Sequence, residues 1–505
     1  MSRQVKTILE DGGSGVLIDV ECHLSNSLPN IVIVGIANKA VDEAKERIRG
    51  AFASSNIKLP KKRITLNLAP ADIPKEGSSF DLPMIVAILK SASLVKPNTI
   101  DTDTVILGEV GLDGSIRPIR GVIGKILAAR NLGIRKFWIP EGNLSQAQLI
   151  PGVNLSPINS LKGLYKDLNG SGSLETIKTL SNNRPADTTG FKKDSFDEVV
   201  GQDLAKRALL IAAAGHHNIM LDGPPGTGKS MLAKALPDIL PTMDQEETLE
   251  VTHLHSLASK KFDQIVKRRP VRTPHHSSSH IAIIGGGQRP QPGEISLSHH
   301  GILFLDEFPE FARSAVESLR QPLEDRKITV ARARGSVDFP ANFILVATSN
   351  PCPCGYWGSK RECQCLPAQI QRYQKRISGP VVDRIDLYVS VDEVPHGKLL
   401  KRPEKPQKET EVMANKVSQA RKTQLKRSGK LNSELDNKDL RKHAKLDEQT
   451  LKLFNKAAET MGLSGRGYMR ALKVARTIAD IDEEKNIGAH HINEALQYRK
   501  RDLSL

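Results

Sequence analysis

No run of about eighteen uninterrupted apolar residues, the length that crosses a bilayer as a helix, occurs in this 505-residue sequence. The opening MSRQVKTILEDGGSG also lacks the apolar stretch of a signal peptide. A helical membrane protein is excluded, and a cytoplasmic location is expected. Cysteine is scarce and odd in number, five in all, with four crowded between 352 and 365. That distribution excludes a secreted disulfide framework and turns attention to local metal binding. Aromatic residues make up only 4% of the chain and do not interleave with its basic clusters, so base stacking is not written in the sequence. Acidic residues fall short of basic ones, 57 against 73, leaving a net charge of +16. Such an excess favours a polyanionic partner through counterion release from phosphates, without saying which one. What is present is a soluble globular balance, 39% hydrophobic and 26% charged, on a chain long enough for about three domains.

Apolar runs (VLIDVE, NIVIVGI, RITLNL, DTVILGEV, KFWIP) alternate with helical stretches (AVDEAKERIRGAFA, GVIGKILAARNLG) through residues 1–168, the pattern of an α/β domain. Residues 169–195 are rich in Gly, Ser, Asn and Thr and read as a linker. From 196 to 394 the strand-like NIMLD, GILFLDE and NFILVAT alternate with helices, which predicts a mostly parallel sheet between helical layers. Residues 395–445 are basic and polar and turn helical at NKVSQARKTQLKR; a flexible connector is expected there. The remainder, 446–505, has helical apolar periodicity and no strand signal, as in a small helical bundle.

Between the strand-like NIML and the helix-like SMLAKAL stand Gly223, Pro224, Pro225, Gly226, Thr227, Gly228, Lys229 and Ser230, with Met231 following. This is a phosphate-binding loop in its proper context. Backbone N–H groups face the phosphates, glycines keep side chains out of the way, Lys229 reaches the β and γ phosphates, and Ser230 ligates Mg²⁺. The apolar run Ile302 to Leu305 ends in Asp306 and Glu307, one carboxylate to support the metal and one to polarise an attacking water. A further strand ends at Ser349 and Asn350, where an amide can orient that water or sense the γ phosphate. Arg384 and Arg470 are candidates for neutralising transition-state charge; spacing alone leaves surface ion pairing open for both.

Cys352, Cys354, Cys363 and Cys365 form two C-x-C pairs separated by eight residues. They suit one tetrahedral Zn²⁺, or else remain four reduced, partly buried thiols. His275, His276, His299 and His300 sit in pairs beside Gly-rich turns and read as polar loop residues without a metal. The stretch from Lys327 to Phe343 reads as a hairpin with Arg332 and Arg334 near its turn. Lys260, Lys261, Lys267, Arg268, Arg269 and Arg272 form a second basic cluster before the glycines at 285–287.

The ordered segments FDEVVGQ, GPPGTGKS, RPVRTPHHSSSHIAIIGGGQRPQPGEISLSHHGILFLDEFPEF, VATSNPCPCG, RISGPVVDRIDL and KVARTIADI resemble the magnesium-chelatase-like AAA+ proteins of the YifB/ComM group over nearly the whole chain. The resemblance implies an α/β multidomain fold: a Lon-protease-like α/β domain, an AAA+ P-loop domain of three αβα layers, and a C-terminal helical lid. It also implies ATP and Mg²⁺ as cofactors and a homo-oligomeric, hexameric ring with ATP at subunit interfaces. Asn350 becomes first sensor, Arg384 a finger acting on a neighbour's ATP, and Arg470 second sensor, with Arg466 and Arg476 close by. DNA is the implied partner, through helicase activity and branch migration when transforming DNA is integrated. Alternatives are a chelatase-type motor serving metal insertion through a protein partner, and a Lon-like ATP-dependent protease. For the protease, Ser79 falls at the nucleophile position, but Ile123 stands where the lysine base belongs and Lys125 is displaced by two residues. A non-proteolytic domain is therefore expected.

Overall fold

The computed structural model describes residues 4–11, 14–35, 43–75, 77–97, 99–170, 174–179, 195–258, 263–287, 290–332, 335–359, 361–395, 397 and 408–499. Arg334, Lys260, Lys261, the side chain of Arg332 and most of the linker at 169–195 lie outside the described residues. The chain divides into two compact units. One comprises residues 1–186 together with 244–267, and the other 187–243 together with 268–505.

In the first unit an eight-stranded mixed sheet is built from β1 (Val5–Asp11), β2 (Ser14–Ser25), β3 (Asn30–Val34), β4 (Arg63–Ala69), β5 (Thr104–Ile106), β8 (Lys136–Pro140), β9 (Asn154–Ile158) and β10 (Ile177–Lys178). Their order is β10-β9-β8-β5-β1-β2-β4-β3, and a small hairpin, β6 (Glu109–Val110) with β7 (Ile116–Arg117), stands apart. Successive side chains of a strand face opposite ways, and the sequence uses this to feed two cores. Trp138 enters one, while Phe137 and Ile139 enter the other. The first core is filled by helix Asp81–Ser91, buried at every position from Asp81 to Leu89. The second takes helix Val122–Asn131 and Leu249 of helix Gln245–Ala258. Thus the segment 244–267, which lies within the 196–394 stretch expected as one α/β domain, folds as part of the first unit.

In the second unit a parallel sheet runs β12 (Val271–Arg272), β15 (Ile302–Leu305), β18 (Ile344–Ser349), β11 (Ile219–Asp222), β19 (Leu387–Ser390). All four strand pairings are parallel. β15 and β18 are buried at every residue, the signature of strands covered on both faces, and this is why they are legible as continuous apolar runs. Two hairpins accompany the sheet: β13 (Gly285–Gly286) with β14 (Gln291–Pro292), and β16 (Lys327–Arg332) with β17 (Gly335–Pro340). The C-terminal region is helical: Asn437–His443, Glu448–Thr460, Gly465–Ile481 and Ala489–Gln497. Asp436, Asp447 and Ser464 each cap a helix by accepting a backbone N–H three residues on.

The segment expected as a flexible connector is different. Glu409–Ser428 is a helix whose Met413, Val417 and Ala420 enter the same core as helix Asp203–Gly215 and helix Gly465–Ile481. Its Arg421 and Gln424 donate to the otherwise open carbonyls of Ala213 and Ala214. The helical reading of NKVSQARKTQLKR holds, but high charge hid its packing from a composition reading, because the apolar stripe is narrow and three of its buried residues, Thr410, Arg421 and Gln424, are polar.

Candidate nucleotide site

Three parallel strands deliver the site from their C-terminal ends, where open α/β sheets bind ligands. β11 runs into Gly223, β15 into Asp306 and Glu307, and β18 into Asn350. Between them lies a cleft of about 360 Å³ lined by the loop from Pro225 to Met231 and by Asp306, Glu307, Thr348, Ser349 and Asn350. Gly226 and Gly228 hold left-handed backbone, with φ of 81° and 89°, and a Cβ on either would meet nothing within 4 Å. They leave an open cradle at the start of helix Lys229–Ala235. Gly223 is constrained differently: a Cβ there would come 2.3 Å from the Val391 carbonyl oxygen.

Lys229 is buried, and its Nζ donates to the carbonyls of Gly223 and Pro224 (2.8 Å for the latter) and to Asn350 Oδ1 at 3.2 Å. Burial lowers its pKa, against the pull of Asp222, Asp306 and Glu307. Ser230 Oγ donates to Asp306 Oδ2 at 3.1 Å. A hydroxyl and a carboxylate brought together are hard oxygen donors of the kind Mg²⁺ takes. Thr348 is the residue missed by sequence reasoning: its hydroxyl donates to Asp306 Oδ1 at 2.5 Å and accepts the Glu307 N–H at 3.0 Å. The signal was there, a polar pair, Thr348 and Ser349, closing an otherwise apolar buried strand. Glu307 holds left-handed backbone (φ 52°), strain of the sort that marks functional positions. Its half-exposed carboxylate lies 3.9 Å from His276 Nδ1.

Arg384 and Arg470 are not brought to this cleft. Asp386 and Asn218 stand just before β19 and β11, at the opposite ends of the strands from Gly223. There Arg470 Nη1 donates to Asp386 Oδ1 at 3.2 Å, and Arg384 pairs with Glu324 and donates to the Pro380 carbonyl at 2.6 Å. Arg466 lies 3.7 Å from the same Glu324. Burial first, then Arg466, Arg470 and Arg320, push the Arg384 pKa down, so these arginines form one cluster. Asp386 is buried. Burial alone would raise its pKa, but Arg470, His217 and the Asn218 N–H together hold it below the ordinary Asp value.

The four cysteines after Asn350 come together. Sγ of Cys352 is 3.4 Å from that of Cys354 and 3.7 Å from that of Cys363, and Cys354 and Cys363 are 3.6 Å apart. All four sulfurs, Cys365 included, lie within 4.8 Å of one another. The same loop touches the phosphate loop, since a Cβ on Gly355 would meet Pro225 Cδ at 2.7 Å. In the second basic cluster Arg272 donates through Nε and Nη2 to the two Glu294 carboxylate oxygens at 2.5 Å each, and Arg269 donates to the carbonyls of Pro241 and His300. Their hydrogen-bonding capacity is largely used inside the fold. In the first unit Ser79 is buried, Ile123 sits in the apolar core with Ile8 and Val105, and Lys125 lies near Glu10. Among the described residues no lysine donates to the Ser79 hydroxyl.

Family models match three stretches: "Magnesium chelatase, subunit ChlI" over residues 195–399, "Subunit ChlI of Mg-chelatase" over 20–143, and "Magnesium chelatase, subunit ChlI C-terminal" over 407–499. Competence protein ComM of Haemophilus influenzae is 40% identical over 97% of this chain and 95% of its own length. The uncharacterized protein YifB of Escherichia coli is 40% identical over 96% and 94%. The magnesium-chelatase 67 kDa subunit of Chlorobaculum tepidum is 31% identical, over 31% of this chain and 23% of its own. With matches of this extent on an AAA+-type parallel sheet and helical C-terminal region, the chain belongs to the YifB/ComM family of magnesium-chelatase-like AAA+ proteins.

Proposed function

We propose that this protein is a ring-forming ATPase that couples hydrolysis of Mg²⁺-bound ATP to remodelling of DNA, by helicase action and branch migration. The observation that carries the reading is the convergence of Lys229, Ser230, Asp306, Glu307 and Asn350 on one cleft at the C-terminal ends of three parallel strands. The cradle and the oxygen donors fit a triphosphate and its metal. When bound, Mg²⁺ supplies charge neutralisation on the β and γ phosphates. Lys229 exchanges its bonds to loop carbonyls for phosphate oxygens, Ser230 and Asp306 hold the metal, and Met231 flanks the site. Glu307 accepts a proton from the attacking water, which Asn350 orients.

Arg384, at the far end of the strands, acts as a finger on the nucleotide of an adjacent protomer, a hexameric ring being the assembly that supplies one, and Arg470 serves as second sensor. Glu324 holds the Arg384 guanidinium until then. DNA as partner is supported by the +16 net charge, the hairpin β16–β17, and 40% identity to a competence protein. The first unit serves as a non-proteolytic scaffold of Lon-protease-like descent, as Ile123 in the apolar core argues.

The four sulfurs hold a structural Zn²⁺. Tetrahedral Zn–S bonds of about 2.3 Å require S···S edges of about 3.8 Å; Cys352, Cys354 and Cys363 are separated by 3.4 to 3.7 Å, and Cys365 lies within 4.8 Å of them. The test of the function is ATP-dependent branch migration of a synthetic four-way or three-stranded junction. Wild type moves the junction and Glu307→Gln does not; a wild type that turns over ATP at one rate with and without every DNA form contradicts the reading.

A further inference from the structure

The second unit contains another cavity, at the end of the sheet remote from the phosphate loop. Asn218 stands before β11, Asn342 and Phe343 before β18, and Asp386 before β19, and all four line it. Its volume is about 70 Å³, roughly the share of two waters at about 30 Å³ each. The walls are basic: Arg326, Arg470 and Lys473 face it, together with His216, whose pKa burial and the neighbouring Arg326 push well below the ordinary value, against one carboxylate, Asp386.

That carboxylate is already engaged. Asp386 Oδ1 accepts from Arg470 and Oδ2 from the Asn218 N–H at 3.1 Å. Lys473 Nζ makes one bond, to the Ser433 carbonyl at 3.0 Å. Arg326 pairs with Glu434 and reaches Ser433 Oγ at 3.4 Å. Arg470 and Lys473 thus keep N–H groups with no acceptor among the described residues. His216 Nε2 is buried and has no hydrogen-bond partner among the described residues, an arrangement that costs stability unless something completes it. Two of these residues, His216 and Arg326, also hold left-handed backbone, with φ of 59° and 55°. Neither is glycine, and such conformations persist where the surroundings enforce them.

We propose that this cavity binds one small tetrahedral oxyanion, inorganic phosphate being the simplest, held by Arg326, Arg470, Lys473 and His216. The surplus donors are what such an anion satisfies, and the volume admits one phosphoryl group and no nucleoside. Arg470 and Lys473 belong to helix Gly465–Ile481, and Arg326 to the turn before β16. An anion between them ties the C-terminal helices to the base of the hairpin and fixes the Arg470 guanidinium.

Equilibrium dialysis with radiolabelled phosphate tests this, using the full chain carrying Lys229→Ala so that the nucleotide loop contributes no signal. The expected result is one phosphate per chain, weakened roughly 10- to 100-fold by Lys473→Met and by His216→Asn, the loss of a charge-assisted or buried hydrogen bond. Asparagine keeps the left-handed backbone at position 216, and thermal unfolding in chloride verifies that each variant is folded. Absence of saturable binding, or an affinity unchanged in both folded variants, overturns the proposal. Displacement of the label by a 5′-phosphorylated oligonucleotide but not by its 5′-hydroxyl twin assigns the natural ligand to a polynucleotide end. Displacement by neither assigns free phosphate.

Discussion

At the scale of single residues, the cleft depends on groups that orient other groups. Thr348 is 1% exposed and holds both Asp306 and the Glu307 backbone. Valine has the same shape without the hydroxyl, so Thr348→Val leaves Asp306 Oδ1 short of a donor. Steady-state ATP hydrolysis is expected to fall about tenfold while nucleotide affinity changes little, a split between kcat and KM that mere destabilisation would not give. Asp386 provides a pH signature. Its pKa in the fold lies below the ordinary Asp value of about 3.9. The stability it contributes is therefore complete above about pH 4 and is lost progressively as the pH falls below that. Asp386→Asn is expected to be about 2 to 3 kcal/mol less stable at neutral pH in urea titrations, with the difference from wild type shrinking toward pH 3. A pH-independent difference would remove the charge from the explanation.

At the scale of elements, legibility followed burial and spacing. β15 and β18, buried throughout, stand out as apolar runs, and the phosphate loop between strand and helix is specified by residue types alone. β12 and β19 were not foreseen: two residues, Val271 and Arg272, are too few for any period, and Leu387–Ser390 follows a polar, arginine-bearing stretch. The helix expected at NKVSQARKTQLKR is present and runs Glu409–Ser428; its packing against the core escaped because its buried face includes Thr410, Arg421 and Gln424. That Arg384 and Arg470 share one end of the sheet, away from Lys229, was invisible because position in sequence carries no information on strand ends until the topology is known. The cysteine loop is where an element-scale test is most direct. Wild-type protein purified without chelator is expected to carry one zinc per chain by elemental analysis, and Cys363→Ser none. Because Gly355 abuts Pro225, the variant is also expected to bind nucleotide more weakly, as a titration with fluorescent ATP would register. Equal zinc content in both proteins would contradict a four-thiolate site.

At the scale of the whole molecule, the chain combines a mixed-sheet unit that includes residues 244–267 with a unit carrying the parallel sheet and C-terminal helices. No helix among the described residues is long and apolar enough to cross a membrane. The arginine cluster around Glu324 and Asp386 sits at the strand ends opposite the cleft, an arrangement that makes sense if nucleotide is completed between protomers and hydrolysis is a property of the assembly. All of this stands on a triphosphate occupying the cradle ahead of Ser230. Titration calorimetry of Mg²⁺-ATP into wild type, Glu307→Gln and Lys229→Ala measures that directly. The account predicts saturable binding in the first two and a loss of about 100-fold or more in the third; no heat of binding in wild type, or an unchanged affinity in Lys229→Ala, would contradict it.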